Sequence, residues 1–400
     1  MPALVTASRN HVLDALLELI CIRIQLSATQ DGAARQHYDA VTGWLSREGS
    51  SIRLFAPHIF PQGSQRLGTT TKPLRQSEFD LDAVCLLDIR QTSHPGGVYQ
   101  LVWDQIASND VYRPIMQRLP RCIRLNYSGD FHLDIVPAVP DANAGGKCIL
   151  VPDLQANLAI DHPENDRWKV ANPEGHSTWF EGRCVRPVAL MEKYAMAKVD
   201  PVPETEAIHE KPALKRGLQL FKRWRDVEFK DRQPLSPPSI ILTTLSGHLY
   251  QGEALCTDTL RQILGGIAEW IKSGRSMCLK NPAHDKEDIC EKWERNPSSY
   301  LAFAASVIGF RDRWERLLVS RGLHEIEQEL AELFEEAPVR WAVKKLAERR
   351  VVEPREKRVL GVQRGTGALG LGAAAGSGLL VRPNRFFGDA ADAGQYDRDS

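Results

Sequence analysis

The chain has 400 residues, more than a single hydrophobic core usually contains, so we expect more than one lobe. Its hydrophobic fraction of 42% and charged fraction of 26% are typical of a globular protein. Lys plus Arg equals Asp plus Glu at 51 each, so the formal net charge is zero. Proteins whose main task is to grip duplex nucleic acid are usually basic. The balance therefore argues against a long polynucleotide as the principal partner, and we do not expect nucleic acid to activate the protein.

The cysteines and the N-terminal segment indicate a compartment. The eight cysteines are scattered and form no Cys-x-x-Cys pair, which favours reduced thiols in a cytosol. The N-terminal segment lacks the cationic start and apolar run of a secretory signal, and no apolar run is long enough to span a bilayer. We therefore expect a cytoplasmic protein with no membrane partner.

The first part of the chain predicts a mixed sheet behind a long N-terminal helix. Residues 8–46 carry apolar side chains at helical spacing, and the pattern changes after Gly49 to short β-type runs. The predicted strands are 51–60, 79–87, 122–127 and 131–136, with a helix at 98–119.

From about residue 160 the chain is predicted to be mainly helical. The predicted helices are 186–199, 213–229, 239–250, 255–274, 285–294, 299–319 and 323–350. Residues 361–378 contain seven glycines, and the polar end that follows is typical of disorder. The predicted architecture is α+β: a mixed catalytic lobe over 1–160, a helical lobe over 161–350, a partly disordered tail over 351–400, and an active site in the cleft between the lobes.

Two aspartates on one predicted strand are the first candidate site residues. Asp80 and Asp82 are two positions apart and flanked by apolar residues, so their side chains are expected on one face of an interior strand. Asp134 lies on another predicted strand and could project beside them. Carboxylates are hard oxygen ligands suited to Mg²⁺ or Mn²⁺, and three of them would complete a two-metal site. A solvated strand end is the alternative for an isolated Asp-x-Asp.

A small-residue turn precedes the acidic strand. Gly63 allows a close approach of the backbone to an anion, and the Ser64 hydroxyl can add a hydrogen bond. Gly-Ser alone is more often a linker dipeptide, so its value comes from its position. In the helical half, Lys222 and Ser239 could meet the outer phosphates from across the cleft, with a solvated basic helix face as the alternative.

The pattern Gly63-Ser64, Asp80-x-Asp82 and Asp134 resembles the polymerase-β-like nucleotidyltransferases. Further motifs bring the resemblance closer to the bacterial cGAS/DncV-like nucleotidyltransferases of anti-phage systems. These motifs are Asn172-Pro173-Glu174-Gly175, Trp179-Phe180, the run 222–226, Ser239-Ile240-Ile241-Leu242, Asn281-Pro282 with Trp293, and the terminal Asn384-Arg385-Phe386-Phe387-Gly388.

The resemblance implies a polymerase-β-like catalytic lobe and assigns roles to residues. Asp80, Asp82 and Asp134 would bind two Mg²⁺ ions, with Mn²⁺ as a possible replacement. The donor triphosphate would be held by Gln62, Gly63 and Ser64. Assistance would come from Lys222 and Ser239, while Arg223 or Arg225 could take the place of the lysine.

The resemblance also implies a reaction. The substrates would be ATP and GTP. A 3′- or 2′-hydroxyl of one nucleotide would attack the α-phosphate of another and release pyrophosphate. A further attack would close a cyclic di- or trinucleotide. The product would diffuse to an effector protein, and an operon-encoded regulator could act on the C-terminal tail. A linear template-independent transferase and a non-catalytic nucleotide-binding regulator remain the alternatives.

Overall fold

The computed structural model describes residues 2–74, 79–89, 94–127, 131–145, 147–155, 158–160, 162–184, 211–274, 278–320, 322–357, 359–362 and 369–372. They belong to two compact units, Met1–Val343 and Lys344–Ser400. The predicted helix at 186–199, the terminal motif at 384–388 and the polar end of the tail lie outside the described residues.

Strands β1 to β7 form one mixed sheet. The central order is β1-β2-β5-β4-β3, and β6 pairs with both β5 and β7. Only the β2–β5 pair is parallel among these described pairings. The strands are β1 His58–Gln62, β2 Phe79–Leu86, β3 Met116–Arg118, β4 Ile123–Tyr127, β5 Phe131–Pro140, β6 Ile149–Pro152 and β7 Trp168–Ala171.

Helices make up most of the remaining described residues. Those of the sheet-forming part are α1 Pro2–Ile24, α2 Ala28–Ser46, α3 Gly63–Arg66, α4 Pro95–Ala107 and α5 Pro173–Arg183. The later helices are α6 Ala213–Glu228, α7 Ser239–Leu249, α8 Cys256–Lys272, α9 Glu291–Arg295, α10 Pro297–Val319, α11 Leu323–Phe334 and α12 Glu336–Lys357. The described residues also form two hairpins: β8 Lys280–Asn281 with β9 His284–Asp288, and β10 Val359–Val362 with β11 Leu369–Gly372.

The two faces of the sheet have different chemistry. Alternate residues of β2, β4 and β5 are buried in a core shared with α2 and α4: Leu81, Ala83, Cys85, Ile123, Leu125, Leu133 and Ile135. Because successive side chains of a strand point to opposite faces, the residues between them lie on the other face. That face therefore carries Asp80, Asp82, Arg124 and Asp134.

Several element boundaries differ from the predictions. The helix predicted over 8–46 is broken at Ser27, whose side chain caps α2 in a reciprocal capping box with Gln30. The predicted strand 51–60 is largely a turn and a 3₁₀ segment, Arg53–Phe55, before β1 begins. The predicted helix 285–294 is instead strand β9 followed by the short α9. The helix predicted over 323–350 is divided at Glu335, whose φ is +81°.

Within the part of the chain that the structure describes, no helix is both long and apolar enough to cross a membrane.

Candidate active site

The sheet register places the three predicted carboxylates together. Asp82 lies directly opposite Asp134 on the neighbouring parallel strand, and Asp80 lies one pleat away on the same face. Gln62 pairs with Asp82 from the other side, on β1. Asp134 is buried, whereas 59% of the Asp80 side chain is exposed. The carboxylates thus form a row that runs from the interior of the protein to its surface.

Arg124 is the principal cationic partner of this row, and the sequence analysis did not identify it. Its Nε and Nη2 atoms donate to the two carboxylate oxygens of Asp134, each at 2.8 Å. The same Nη2 also donates to Asp80 Oδ1 at 3.2 Å. The sequence signal was the single charge in Ile123-Arg124-Leu125, because a charged residue between two core residues must face the opposite side of the sheet.

The carboxylate row carries more negative charge than its surroundings neutralise. Burial, together with the negative charges of Asp134 and Asp80, raises the pKa of Asp82 to about 7. Burial also raises the pKa of Asp80, although the positive charge of Arg124 opposes this shift. Hydrogen bonding to Asp134 raises the pKa of Arg124. A group of acids that resists full ionisation favours the binding of a cation.

Gly63 brings the small-residue turn into contact with the acidic strand. It starts α3 with φ +63°, in the left-handed region. A Cβ atom at this position would lie 2.7 Å from Asp82 Oδ2, closer than non-bonded atoms approach. Ser64 follows, and its hydroxyl accepts a hydrogen bond from Thr70 Oγ1 at 3.2 Å. A side chain at position 63 would therefore displace the Asp82 carboxylate.

Helix α6 holds the loop that follows this turn. Lys222 Nζ donates to Thr69 Oγ1 at 2.9 Å, and the Thr69 amide in turn donates to the Ser64 carbonyl at 2.9 Å. Gln219 donates to the carbonyl of Thr70, and Arg223 to that of Lys72. Positions i, i+3 and i+4 of a helix share one face. One face of α6 thus fixes the loop after Ser64, and Lys222 is buried against it rather than open to solvent.

Arg225 connects Ser239 to the same region. Its Nη1 donates to Ser239 Oγ at 2.7 Å, and it pairs with Asp226. Burial, and next the charge of Arg225, lower the pKa of Lys222 to about 7. Lys222 thus contacts Thr69 in the loop after the turn, whereas Ser239 contacts Arg225. Of the two arginines that could take the place of the lysine, Arg223 donates to Glu335 and to the Lys72 carbonyl, and Arg225 to Asp226 and Ser239.

The donor set of the carboxylate row fits a divalent cation in its chemistry. Asp80, Asp82 and Asp134 supply hard oxygen ligands on one face of the sheet. Among the described residues, however, no three acidic, histidine or cysteine side chains converge as a ready-made metal site. The reason is visible in the contacts: Asp134 directs both oxygens at Arg124.

A second cluster of charges lies where β7 meets α9, and we call it the Glu291 cluster. Arg121 Nε donates to Asp153 Oδ1 at 2.7 Å, and its Nη2 to Glu291 Oε2 at 3.2 Å. Lys169 and Arg295 also pair with Glu291. Burial alone would raise the pKa of Glu291, but the hydrogen bond from Lys169 and the nearby cations lower it. Each acid in this cluster has a cationic partner.

The chain is similar in sequence to known nucleotide-joining enzymes. Residues 12–183 match the Second Messenger Oligonucleotide or Dinucleotide Synthetase domain. A c-di-GMP synthase of Roseivirga ehrenbergii is 29% identical over 392 residues, covering 96% of this chain and 100% of that protein. The cyclic dinucleotide synthase CdnG of Bradyrhizobium diazoefficiens is 27% identical over 311 residues, covering 72% of this chain and 71% of that protein.

Solved structures agree on the fold. The CD-NTase CdnG of Bradyrhizobium diazoefficiens in complex with GTP superposes with a TM-score of 0.67 at 22% identity, covering 84% of this chain and 98% of that chain. CdnC of E. coli MS115-1 with ATP gives a TM-score of 0.56 at 11% identity, covering 80% and 96%. The predicted α+β nucleotidyltransferase fold is confirmed.

Proposed function

We propose that this chain, a member of the cGAS/DncV-like nucleotidyltransferases, condenses two molecules of GTP into a cyclic dinucleotide and releases one pyrophosphate at each of two transfers. The observation that carries the proposal is the register of β2 and β5, which sets Asp82 beside Asp134 with Gly63 against the Asp82 carboxylate. GTP is preferred because a relative that aligns over 96% of this chain is named a c-di-GMP synthase.

The proposed roles follow from the contacts. Asp80, Asp82 and Asp134 would hold Mg²⁺, which when bound polarises the α-phosphate and lowers the pKa of the attacking hydroxyl. The backbone of Gln62, Gly63 and Ser64 would hold the donor triphosphate, because Gly63 leaves no side chain between the turn and the acidic strand.

The helical residues have a more indirect role in this proposal. Lys222 supports the donor turn through Thr69 and adds positive charge near Asp82. The Ser239 hydroxyl is held by Arg225, whose guanidinium lies close enough to Asp80 to influence its pKa. These residues would orient the outer phosphates, while the carboxylates act at the α-phosphate.

The biological role is a further proposal. A cyclic dinucleotide that diffuses to an effector protein would serve anti-phage defence, in keeping with the family, and ATP would be accepted where a mixed product is made. A linear transferase is the second candidate, because it would use the same carboxylate row and the same triphosphate turn.

Product analysis distinguishes the candidates. The purified full chain is incubated with GTP, with ATP and with both, in Mg²⁺ or Mn²⁺, and then treated with phosphatase and examined by mass spectrometry. We expect a phosphatase-resistant product with the mass of a cyclic dinucleotide from GTP alone. Linear chains whose terminal phosphates are removed would overturn the proposed ring closure, and a resistant product that requires ATP would overturn the choice of GTP.

A further inference from the structure

Arg124 donates hydrogen bonds to the same carboxylates that would bind a divalent cation, so a bound cation would have to replace these hydrogen bonds. Its guanidinium accounts for one hydrogen bond to each oxygen of Asp134 and one to Asp80. The pair is well shielded, because 10% of the Asp134 side chain and 24% of the Arg124 side chain are exposed. Bidentate arginine–carboxylate pairs of this kind are among the stronger polar contacts in proteins.

The charges of the site explain why such a pair is needed. With three carboxylates close together and no counter-ion, the buried Asp134 would be left unpaired, which is costly in a protein interior. Arg124 offsets part of that charge through its hydrogen bonds to Asp134 and Asp80. A single guanidinium thus stabilises the carboxylate row without saturating it.

We propose that Arg124 is an exchangeable counter-ion that occupies the carboxylate row until a divalent cation binds, and that it thereby sets the metal affinity of the site. The hydrogen bonds agree with this, since both carboxylate oxygens of Asp134 accept from the guanidinium. The inference rests on the proposed function in one respect, namely that Asp80, Asp82 and Asp134 are the metal ligands.

A purely structural role for Arg124 makes the opposite prediction. If the guanidinium served only to orient Asp134 toward the metal, removing it would weaken cation binding. If it competes with the cation, removing it eliminates both the blocking hydrogen bonds and a repulsive positive charge, so cation binding becomes tighter. The sign of the change in metal affinity therefore separates the two roles.

The test uses Mn²⁺ alone, without nucleotide, at fixed ionic strength. Free Mn²⁺ is followed by electron paramagnetic resonance during titration of the full chain and of the variants Arg124→Met and Arg124→Lys. Arg121→Met is the matched control, because Arg121 also pairs with two acids but in the Glu291 cluster. We expect Arg124→Met to bind Mn²⁺ at least about tenfold more tightly, Arg124→Lys to lie between it and the unmodified chain, and Arg121→Met to bind as the unmodified chain does.

The outcomes are separable. Unchanged or weaker binding by Arg124→Met would overturn the proposal, and if that variant does not fold without metal, the same criterion applies to Arg124→Lys. A tighter site in Arg121→Met as well would also overturn it, because the effect would then not be specific to the row. Asp80→Asn is titrated in parallel: if it binds Mn²⁺ as the unmodified chain does, the metal assignment of the proposed function fails, whatever Arg124 does.

Discussion

The carboxylate row and the Glu291 cluster are both groups of charges within one compact unit, but they are built differently. In the Glu291 cluster, Arg121, Lys169 and Arg295 surround a shared acid and lower its pKa. In the carboxylate row, the Arg124 guanidinium donates to two of the three acids, Asp134 and Asp80, and the pKa of Asp82 is raised to about 7. Balanced charge joins elements in the Glu291 cluster, whereas uncompensated charge in the carboxylate row marks the place where a cation and a substrate are expected.

Removing one acid from each group gives the largest expected contrast. Asp80→Asn should reduce cyclic-product formation by about a thousandfold or more, because a metal ligand is lost while the exposed side chain contributes little to folding. Glu291→Gln should leave product formation nearly unchanged. Initial rates at saturating GTP, with circular dichroism as a check of folding, measure both. Activity retained in Asp80→Asn, or lost in Glu291→Gln, would reverse the assignment of the two groups.

The second largest expected effect comes from replacing the glycine of the donor turn, Gly63. Gly63→Ala should lower the rate by about a hundredfold, because the new Cβ would displace Asp82 and small misplacements of reacting groups are costly. Gly145 is the matched control, with φ +66° and no atom within 4 Å of an added Cβ. Gly145→Ala therefore carries the same backbone strain, about 1 kcal/mol, without the collision. Equal loss of activity in the two variants would show that strain, and not the Asp82 contact, is responsible.

The smallest expected contrast is in how the stability of the metal-free chain changes with pH. The sign of this change differs between the carboxylate row and the Glu291 cluster. Since the pKa of Asp82 is raised from 3.8 to about 7, the folded chain binds more protons between these values, and stability falls as pH rises through them. Asp82→Asn should remove that fall. The lowered pKa of Glu291 has the opposite effect: its contribution, at most about 1 kcal/mol, is present at neutral pH and is lost on acidification.

Thermal melts in chelator at several pH values test both signs. Asp82→Asn should gain stability relative to the unmodified chain as pH rises toward 7, and Glu291→Gln should lose it. If the melting temperatures of Asp82→Asn and of the unmodified chain change with pH in parallel, the pKa of Asp82 is not raised in the folded chain, and this prediction is wrong.

The sequence was sufficient for the carboxylate face because strand geometry is local. Apolar residues on both sides of Asp80, Asp82 and Asp134 indicated interior strands, and the period of two then fixed a common face. The register that sets Asp82 beside Asp134 was not predictable, since it depends on pairing between segments about fifty residues apart.

The helical side was harder to predict for the same physical reason. Lys222 stays a predicted phosphate contact, and in the structure its ammonium donates to Thr69, a contact that spans 153 positions of the chain. Arg124 was not predicted as a site residue because its role depends on pairing with Asp134 on the next strand. The helix predicted over 285–294 failed because Asn172 and Asn281 anchor Glu287 in a hairpin through hydrogen bonds that no local pattern reveals.

Anomalous diffraction from Mn²⁺ tests the central claim most directly. Crystals of the full chain would be grown with Mn²⁺ and a non-hydrolysable GTP analogue, and data collected at the manganese absorption edge. The account predicts anomalous density bounded by the carboxylates of Asp80, Asp82 and Asp134, with the triphosphate at Gly63 and Ser64. Density at the Glu291 cluster instead, or a bound triphosphate with no manganese at the three aspartates, would contradict it.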